Sequence, residues 1–553
     1  MKIALAQLNY HIGNFESNIS KIKATIAKAK KQNADLIIFA ELATSGYPPW
    51  DFLEFRDFIE QCSIGIKSIA KECDGIAAII GSPYVNPKSQ GKNLFNSAYF
   101  LTDGRIKSVH HKALLPTYDI FAGYRYFEPG NEFKIVEYKG HKIAITICED
   151  LWNVTDEQMY TICPMDKLIT QKPDFLVNIS ASTFTYDKTE IRKNVLIKNV
   201  IKYKLPLFYV NHVGAQTELI FDGGSMVVDD KGNIVDQLNY FNEDFRIYDL
   251  NEVLKFQITN HKSQIKLKSQ IPNHKIQRIH DALILGIKDY FGKLGFKKAI
   301  LGLSGGLDSA ATLVLAARAL GKENVRAVLM PSPFSSGHSI KDAQQIIKNL
   351  GCNYDIIAIK DIAESFGKTL KPYFIDKPPD ITEENIQART RAVLLMALAN
   401  KFGYILLNTS NKSEAAVGYG TLYGDLAGGL SVLGDVYKTE VYELANYINK
   451  DKEIIPLNTI SKPPSAELRP GQKDADDLPE YDMLDKILYQ YIELRKGHKE
   501  IIAMGFDEPL VRRMLKLVNT NEYKRYQSPP ILRVSPKAFG MGRRMPIVGK
   551  YLT

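Results

Sequence analysis

The chain has 553 residues, of which 45% are hydrophobic, and this length exceeds what one core supports, so we predict at least two globular domains. Its net charge of +9 comes from lysines spread along the chain, a pattern that favours a solvated basic surface over a nucleic-acid-binding arm. The five cysteines form no CxxC pair and no apolar run reaches about 18 residues, which argues against a disulfide framework, a structural zinc site and a membrane span.

Residues 1–250 alternate short β-type runs with helical stretches, beginning with the strand-like MKIALAQL. This first run lacks a secretory apolar core, and the odd number of cysteines fits a reducing compartment, so we expect a cytoplasmic protein. A helix is predicted over 18–32. Further strands are predicted at DLIIFAE, IAAIIGSPY, KIAITIC, DFLVNIS, LPLFYVN and GSMVVDD. Strands separated by helices predict an α/β domain.

Three polar residues stand out in this half. Glu41 follows the apolar run DLIIFA, Lys112 lies in HHKALLPTYDIFAGYRYF, and Cys148 follows KIAITI. Each has an ordinary structural explanation, because strands often end at a glutamate, lysines are usually solvated and a buried cysteine behaves as a small hydrophobic residue.

Taken together, these residues resemble the catalytic set of the nitrilase-type amidase family, in which the cysteine opens a short C-E motif, here CEDLW. The segments AELATSGYPPWD and NISASTF extend the similarity over the whole first half. The resemblance implies an α-β-β-α sandwich in which Cys148 is the nucleophile, Glu41 the general base and Lys112 the cation that stabilises the oxyanion. A free cysteine has a pKa of about 8.5, so the thiol needs such a base at neutral pH.

The same resemblance implies a glutamine-binding set of Tyr118, Ser182 and Lys188. One cation matches one α-carboxylate, although Lys188 is also explained as a solvated residue at the start of a helix. Thr183 stands where relatives often have a proline, which bears on the geometry of this loop.

A polar, lysine-rich segment at 251–274 loses the core pattern, and we place a linker there, between a first domain at 1–250 and a second at 275–553. Helices are then predicted over 280–294, 339–350 and 386–401. Strands are predicted at AILG, VRAVLMP, YDIIAI and YILLNTS. This alternation predicts a doubly wound parallel sheet, whose ligands bind at the carboxyl ends of the strands.

The loop SGGLDS lies between a predicted strand and a predicted helix. Gly305 and Gly306 let the backbone turn so that several N–H groups and the positive end of a helix dipole face one spot, as a phosphate cradle requires. No lysine follows the glycines, so the loop is not a Walker A motif. The alternative is an ordinary strand-to-helix turn with Asp308 or Ser309 as the N-cap.

This loop resembles that of the ATP pyrophosphatases, which cleave ATP between the α- and β-phosphates and transfer AMP. Nearly all of 275–553 is similar to the family of glutamine-dependent NAD synthetases. The matching segments are GLSGGLDSA, ENIQARTR, NTSNKSE, YGDLAGG, KPPSAELRPGQ, LPEYDMLD and KRYQSPP. The ATP-binding residues that this resemblance implies are Gly302, Leu303, Ser304, Gly305, Gly306, Leu307, Asp308, Ser309 and Thr409.

The resemblance also implies Mg²⁺ ligands at Asp308 and Glu414, since this hard cation prefers carboxylate and phosphate oxygens. The deamido-NAD contacts that it implies are Asn385, Glu414 and Lys524, and further ATP phosphate contacts are Lys438 and Ser465. Asn385 is also explained as a helix N-cap, and Lys524 as an ordinary surface lysine. Leu422 stands where ammonia-dependent relatives have a lysine before YGD.

Together, the two halves imply that ammonia released from glutamine amidates deamido-NAD, with ATP activating the carboxylate. Free ammonia protonates in water, so we expect a sealed passage between the sites. Relatives assemble through their synthetase domains, which implies at least a dimer, with small-molecule substrates and no nucleic-acid or membrane partner.

Two alternatives stay open on the residues themselves. An RNA-binding, tRNA-modifying adenylase would use the same loop and the basic charge, but many thiolating versions need paired cysteines, and the second half has only Cys352. A non-catalytic nucleotide sensor is the other, and the intact set of Glu41, Lys112, Cys148 and Asp308 argues against it.

Overall fold

The computed structural model describes residues 1–88, 90–154, 158–256 and 274–551. The chain divides into two compact units, Met1–Pro272 and Asn273–Thr553. Most of the predicted linker, 257–273, lies outside the described residues, and the domain boundaries stay predictions. Within the described ranges, no helix combines the length and the apolar character that crossing a membrane requires.

The first unit contains two six-stranded sheets. The strands of the first sheet are β1 (Lys2–Gln7), β2 (Leu36–Ile38), β3 (Ala77–Val85), β4 (Leu94–Thr102), β5 (Arg105–His111) and β14 (Asp244–Asp249). The strands of the second sheet are β6 (Val136–Tyr138), β7 (His141–Ile147), β8 (Phe175–Ser180), β9 (Leu207–Asn211), β12 (Met226–Val228) and β13 (Ile234–Gln237). A hairpin, β10 (Val213–Gln216) and β11 (Leu219–Asp222), precedes β12. All seven runs predicted as strands in this half contain strands. The strands that the sequence did not predict are β4, β5, β6, β10, β11, β13 and β14.

Both sheets contribute to one hydrophobic core, which holds Ile37 of β2 and Ile145 of β7. The helices of this unit are α1 (Phe15–Lys31), α2 (Arg56–Ala70), α3 (Gly123–Tyr126), α4 (Pro164–Leu168), α5 (Lys188–Tyr203) and α6 (Leu250–Leu254). Ile22 of α1 packs in the shared core, and Leu196 of α5 packs with the second sheet. Helices outside two facing sheets form the predicted α-β-β-α sandwich.

The second unit is built on one parallel sheet. Its strands are β15 (Ala299–Gly302), β16 (Val325–Leu329), β17 (Asn353–Ile356), β18 (Ile405–Asn408) and β19 (Leu430–Ser431). Their order is β17-β16-β15-β18-β19, and every pair is parallel. The direction of winding reverses between β15 and β18, which is where the ligands of such folds bind. The predicted doubly wound sheet is therefore confirmed.

Helices surround this sheet and continue to the end of the unit. They are α7 (His274–Leu294), α8 (Leu307–Leu320), α9 (Gly337–Leu350), α10 (Lys360–Leu370), α11 (Ile381–Phe402), α12 (Lys412–Val417), α13 (Lys438–Ile448), α14 (Leu457–Ser461), α15 (Tyr481–Ile492), α16 (His498–Ala503), α17 (Glu508–Thr520) and α18 (Glu522–Arg525). The three helices predicted in this unit all begin earlier than predicted, and α9 begins at Gly337 rather than at 339. Helix α7 begins at His274 rather than at 280, and α11 begins at Ile381 because Asp380 and Glu383 form a capping box.

Candidate active sites

Strand ends bring Glu41, Lys112 and Cys148 together in the first unit, and we call these three residues the thiol centre. Lys112 directly follows β5, and Cys148 directly follows β7. The Lys112 ammonium lies 2.7 Å from Oε1 of Glu41. Asn96 donates a hydrogen bond to the same oxygen at 2.7 Å, and the Ala181 amide donates to Oε2 at 2.9 Å. All three members are buried, and shielding from bulk water strengthens the electrostatic interactions between them.

The charges in the thiol centre are set by burial and by one another. Burial disfavours the Lys112 ammonium, but the Glu41 carboxylate and Cys148 hold the Lys112 pKa well above its usual range. Burial, reinforced by the Glu41 charge, raises the pKa of the Cys148 thiol to about 12. The resting cysteine is therefore a protonated thiol, and a base must take its proton before it can attack.

Two of the predicted glutamine-binding residues, Tyr118 and Lys188, interact with the neighbouring Glu149. Tyr118 donates to the Glu149 carboxylate at 3.0 Å, and Tyr160 donates to it at 3.0 Å. Burial raises the pKa of Glu149, and the Lys188 ammonium, which lies 4.9 Å from the centroid of the Phe121 ring, is one of the groups that oppose this rise. One carboxylate and one ammonium therefore lie close to the thiol centre.

Lys188 is the first residue of α5, as the alternative explanation of a helix-start lysine expects. It is half-buried, however, and not fully solvated. Ser182 is buried; its amide donates to Asn211 at 2.8 Å, and Arg192 donates to its hydroxyl at 3.5 Å. Sequence reasoning missed Asn96, Glu149 and Tyr160. Only Glu149 carried a signal, as the second residue of CEDLW.

The predicted phosphate loop connects β15 to α8. Helix α8 begins at Leu307 with Gly306 as its N-cap, so the alternative in which Asp308 or Ser309 caps the helix is wrong. Gly305 has a φ of +81°, and a Cβ there would lie 2.2 Å from the carbonyl oxygen of Ser339. The close approach of α9 therefore requires a glycine at this position.

A cavity of about 310 Å³ opens over this loop. Every residue of Gly302–Ser309 except Gly305 lines it. The other predicted residues that line it are Thr409, Glu414, Lys438 and Ser465. The ends of β15 and β18 thus place the predicted ATP-binding residues around one cavity, which we call the phosphate-loop cavity.

Two carboxylates and a lysine form the charged wall of this cavity. Lys438 makes an ion pair with Asp308, and Asn411 donates to the Asp308 carboxylate at 3.2 Å. Burial and the Asp308 charge raise the pKa of Glu414 well above its usual range. A divalent cation would relieve this repulsion, so the donor set fits Mg²⁺. The described residues contain no cluster of three His, Cys, Asp or Glu side chains arranged to hold a metal.

Asn385 of α11 and Lys524 of α18 do not line this cavity, and both contact the loop that follows α12. Asn385 accepts a hydrogen bond from the Thr421 hydroxyl at 2.7 Å, and Lys524 donates to the carbonyl of Gly418 at 2.7 Å. Asn385 lies inside α11, so the N-cap explanation is wrong. Leu422 belongs to the same loop, and its carbonyl accepts from Arg389 at 3.2 Å.

Sequence reasoning also missed Arg391, which lines the cavity. Its Nε donates to the carbonyl of Met330 at 3.1 Å, and burial lowers its pKa. The residue lies in the predicted helix of ENIQARTR, but nothing in that pattern distinguishes it from Arg389.

Comparison with known proteins agrees with this division of the chain. Residues 2–255 match the carbon-nitrogen hydrolase family, and residues 279–528 match the NAD synthase family. The chain is 45% identical to the glutamine-dependent NAD(+) synthetase of Synechocystis sp. over 552 residues, which cover 99% of this chain and 98% of the relative. It is 42% identical to the enzyme of that name from Acinetobacter baylyi, with 99% and 98% covered.

Solved structures give the same result. The glutamine-dependent NAD+ synthetase from Acinetobacter baumannii, in complex with ADP, is 39% identical, with a TM-score of 0.77 over 99% of this chain and 98% of that one. The enzyme of that name from Cytophaga hutchinsonii is 20% identical, with a TM-score of 0.83 over 100% and 98%, and shares the fold.

Proposed function

The chain belongs to the glutamine-dependent NAD(+) synthetase family, and from that membership we propose how its own residues perform the reaction. The enzyme hydrolyses glutamine and uses ATP to amidate deamido-NAD to NAD, forming glutamate, AMP and pyrophosphate. Full-length similarity to synthetases disfavours both an RNA-modifying adenylase and a non-catalytic sensor.

The first step takes place at the thiol centre. Glu41 accepts the thiol proton of Cys148, and the sulfur attacks the side-chain amide carbon of glutamine. The Lys112 ammonium stabilises the resulting oxyanion, and Glu41 passes its proton to the departing ammonia. Water then cleaves the thioester to release glutamate. The observation that carries this assignment is the 2.7 Å contact between the buried Lys112 and Glu41, beside a thiol whose pKa is raised to about 12.

Glutamine carries one ammonium and one carboxylate at its α-carbon, and the residues beside the thiol centre complement both. Glu149, held by Tyr118 and Tyr160, faces the ammonium, while Lys188 and the buried Ser182 face the carboxylate. Charge-assisted hydrogen bonds of this kind fix the substrate so that its amide reaches Cys148.

The second step takes place at the phosphate-loop cavity. The loop Gly302–Ser309 and Lys438 bind the phosphates of ATP, and the carboxylate of deamido-NAD attacks the α-phosphorus as pyrophosphate leaves. Asp308 and Glu414 would hold Mg²⁺, which neutralises charge on the leaving pyrophosphate when bound. Ammonia then displaces AMP to give the amide. Asn385, Glu414 and Lys524 are the proposed contacts for deamido-NAD.

We further propose that ammonia reaches the second step without mixing with bulk water, where it would protonate and lose its nucleophilicity. Assembly of at least two copies through the second unit and a cytoplasmic location also stay predictions.

Replacing Cys148 tests the assignment of the two steps. Cys148→Ala removes the nucleophile, so glutamine-driven NAD formation should fall at least about 10³-fold, while ammonia-driven formation stays within about twofold. The measurement follows NAD with glutamine or ammonium chloride as the nitrogen source. Loss of the ammonia-driven activity as well would contradict the two-centre assignment.

A further inference from the structure

Asp150 connects the two segments that carry Lys112 and Cys148. Its Oδ1 accepts hydrogen bonds from the consecutive amides of Ala113 at 3.0 Å and Leu114 at 2.9 Å. Its Oδ2 accepts from the Ile147 amide at 3.0 Å. The carboxylate is buried, with a relative exposure of the residue of only 3%.

Each bond falls next to a member of the thiol centre in the chain. Ala113 and Leu114 come directly after Lys112, and Ile147 comes directly before Cys148. Cys148 has a φ of +43°, in the left-handed region that residues other than glycine rarely adopt. Such a conformation persists only where the surroundings hold it. The bond from Ile147 closes the turn that carries Cys148, and the bonds from Ala113 and Leu114 tie the Lys112 segment to that turn.

The three donors explain why a carboxylate stands here. All three partners are N–H groups, and an ionised carboxylate accepts through both oxygens. An amide side chain of the same shape would accept through one oxygen and would point an N–H group at a backbone N–H. Asp150 makes none of these bonds to Cys148, Lys112 or Glu41 directly, so the three hydrogen bonds act on the thiol centre through the backbone.

We propose that Asp150 is a positioning residue for glutamine hydrolysis. Its carboxylate holds Lys112, at the end of β5, and Cys148, at the end of β7, in fixed positions relative to each other. This inference rests on the proposed function of the thiol centre. It assigns Asp150 no contact with the substrate, so its loss should reduce turnover and leave glutamine binding intact.

The test is Asp150→Asn in the full-length chain. Because displacing a catalytic group by about 1 Å costs on the order of 10²-fold, kcat for glutamate release should fall by about that factor while KM changes less than about threefold. Ammonia-driven NAD formation should stay within about twofold of wild type. Asp166→Asn is the matched control, because Asp166 is an exposed carboxylate of the same unit that pairs with Lys202.

A binding measurement separates positioning from a general loss of structure. In the Cys148→Ala background, calorimetry should give the same glutamine Kd, within about threefold, with and without Asp150→Asn. Loss of binding there, or hydrolysis by Asp150→Asn within about threefold of wild type, overturns the inference. Failure of the proposed function is recognised separately, because Cys148→Ala would then retain glutamine-driven activity.

Discussion

At the scale of single residues, burial gives ordinary side chains their chemistry. Glu41, Lys112 and Cys148 are common residue types, but in the buried centre the Glu41 charge keeps the Lys112 pKa high against the effect of burial, and burial raises the pKa of Cys148 to about 12. In the proposed mechanism, glutamine hydrolysis therefore depends on Glu41 as a base. At Gly305 the surroundings restrict the backbone instead. Its positive φ and its close approach to Ser339 leave no room for a side chain.

Gly305→Ala should therefore disable the phosphate-loop cavity. A left-handed conformation costs an alanine about 1–2 kcal/mol, and the overlap with Ser339 forces the loop to move further. We expect AMP release to fall at least about 10²-fold, with glutamine hydrolysis assayed alone within about threefold of wild type.

Gly337→Ala is the matched control, since a Cβ at that glycine meets nothing within 4 Å. Separate assays of AMP and glutamate release distinguish the two sites. AMP release by Gly305→Ala at the rate of the control would show that the loop tolerates a side chain at 305.

At the scale of elements, strand ends and helix starts position the side chains of the two sites, and single carboxylates connect the elements to one another. Asp485 of α15 accepts hydrogen bonds from the Ser413 hydroxyl of α12 and, at 2.9 Å, from the Thr439 amide at the start of α13. These helices carry Glu414 and Lys438, so Asp485 holds together two helices that line the phosphate-loop cavity.

Asp485 also makes stability depend on pH. Burial raises its pKa from 3.8 to about 6, so the folded chain binds this proton more tightly than the unfolded chain. Its contribution to stability is therefore fully present below about pH 4 and is lost as pH rises through about 6. Between these limits, wild type should lose roughly 1–3 kcal/mol relative to Asp485→Asn, which cannot titrate.

Urea midpoints of the two proteins across this pH range measure the difference. Asp482→Asn, an exposed carboxylate of the same helix, should leave the wild-type pH dependence unchanged. A stability difference between wild type and Asp485→Asn that is constant with pH would contradict the explanation.

At the scale of the whole molecule, each unit has a core of its own and one chemical centre. In the proposed function, the nitrogen released in one unit is consumed in the other. Glutamine-driven NAD formation therefore requires both centres. If ammonia is transferred directly, as we propose, the rate also depends on whether the two centres belong to the same chain.

Mixing two inactive variants tests that transfer. Cys148→Ala lacks hydrolysis and Asp308→Asn lacks the proposed cation ligand, so neither makes NAD from glutamine. An equimolar mixture at neutral pH should form NAD at least about tenfold more slowly than wild type, because released ammonia protonates in water before it is used. Added ammonium chloride should restore the rate of the mixture, and a mixture that matches wild type without it would refute direct transfer.

Much of this architecture was predictable from the sequence. Apolar runs predicted the strand that ends directly before Cys148 and the strand that precedes the loop at Ser304, because hydrophobic periodicity is a local property of the sequence. The helix that holds Asn385 was placed five residues late, because the capping box at Asp380 lies outside the apolar pattern.

By itself, the sequence determined the residue types, the order of the strands along the chain and the two motifs from which both reactions were inferred. Only the tertiary structure decided that Asp150 connects Lys112 to Cys148, that Glu149 is held by Tyr118, and that Asn385 does not line the phosphate-loop cavity. These contacts join segments that are far apart in the chain. Their partners are set by how sheets and helices pack, which no local pattern of residues records.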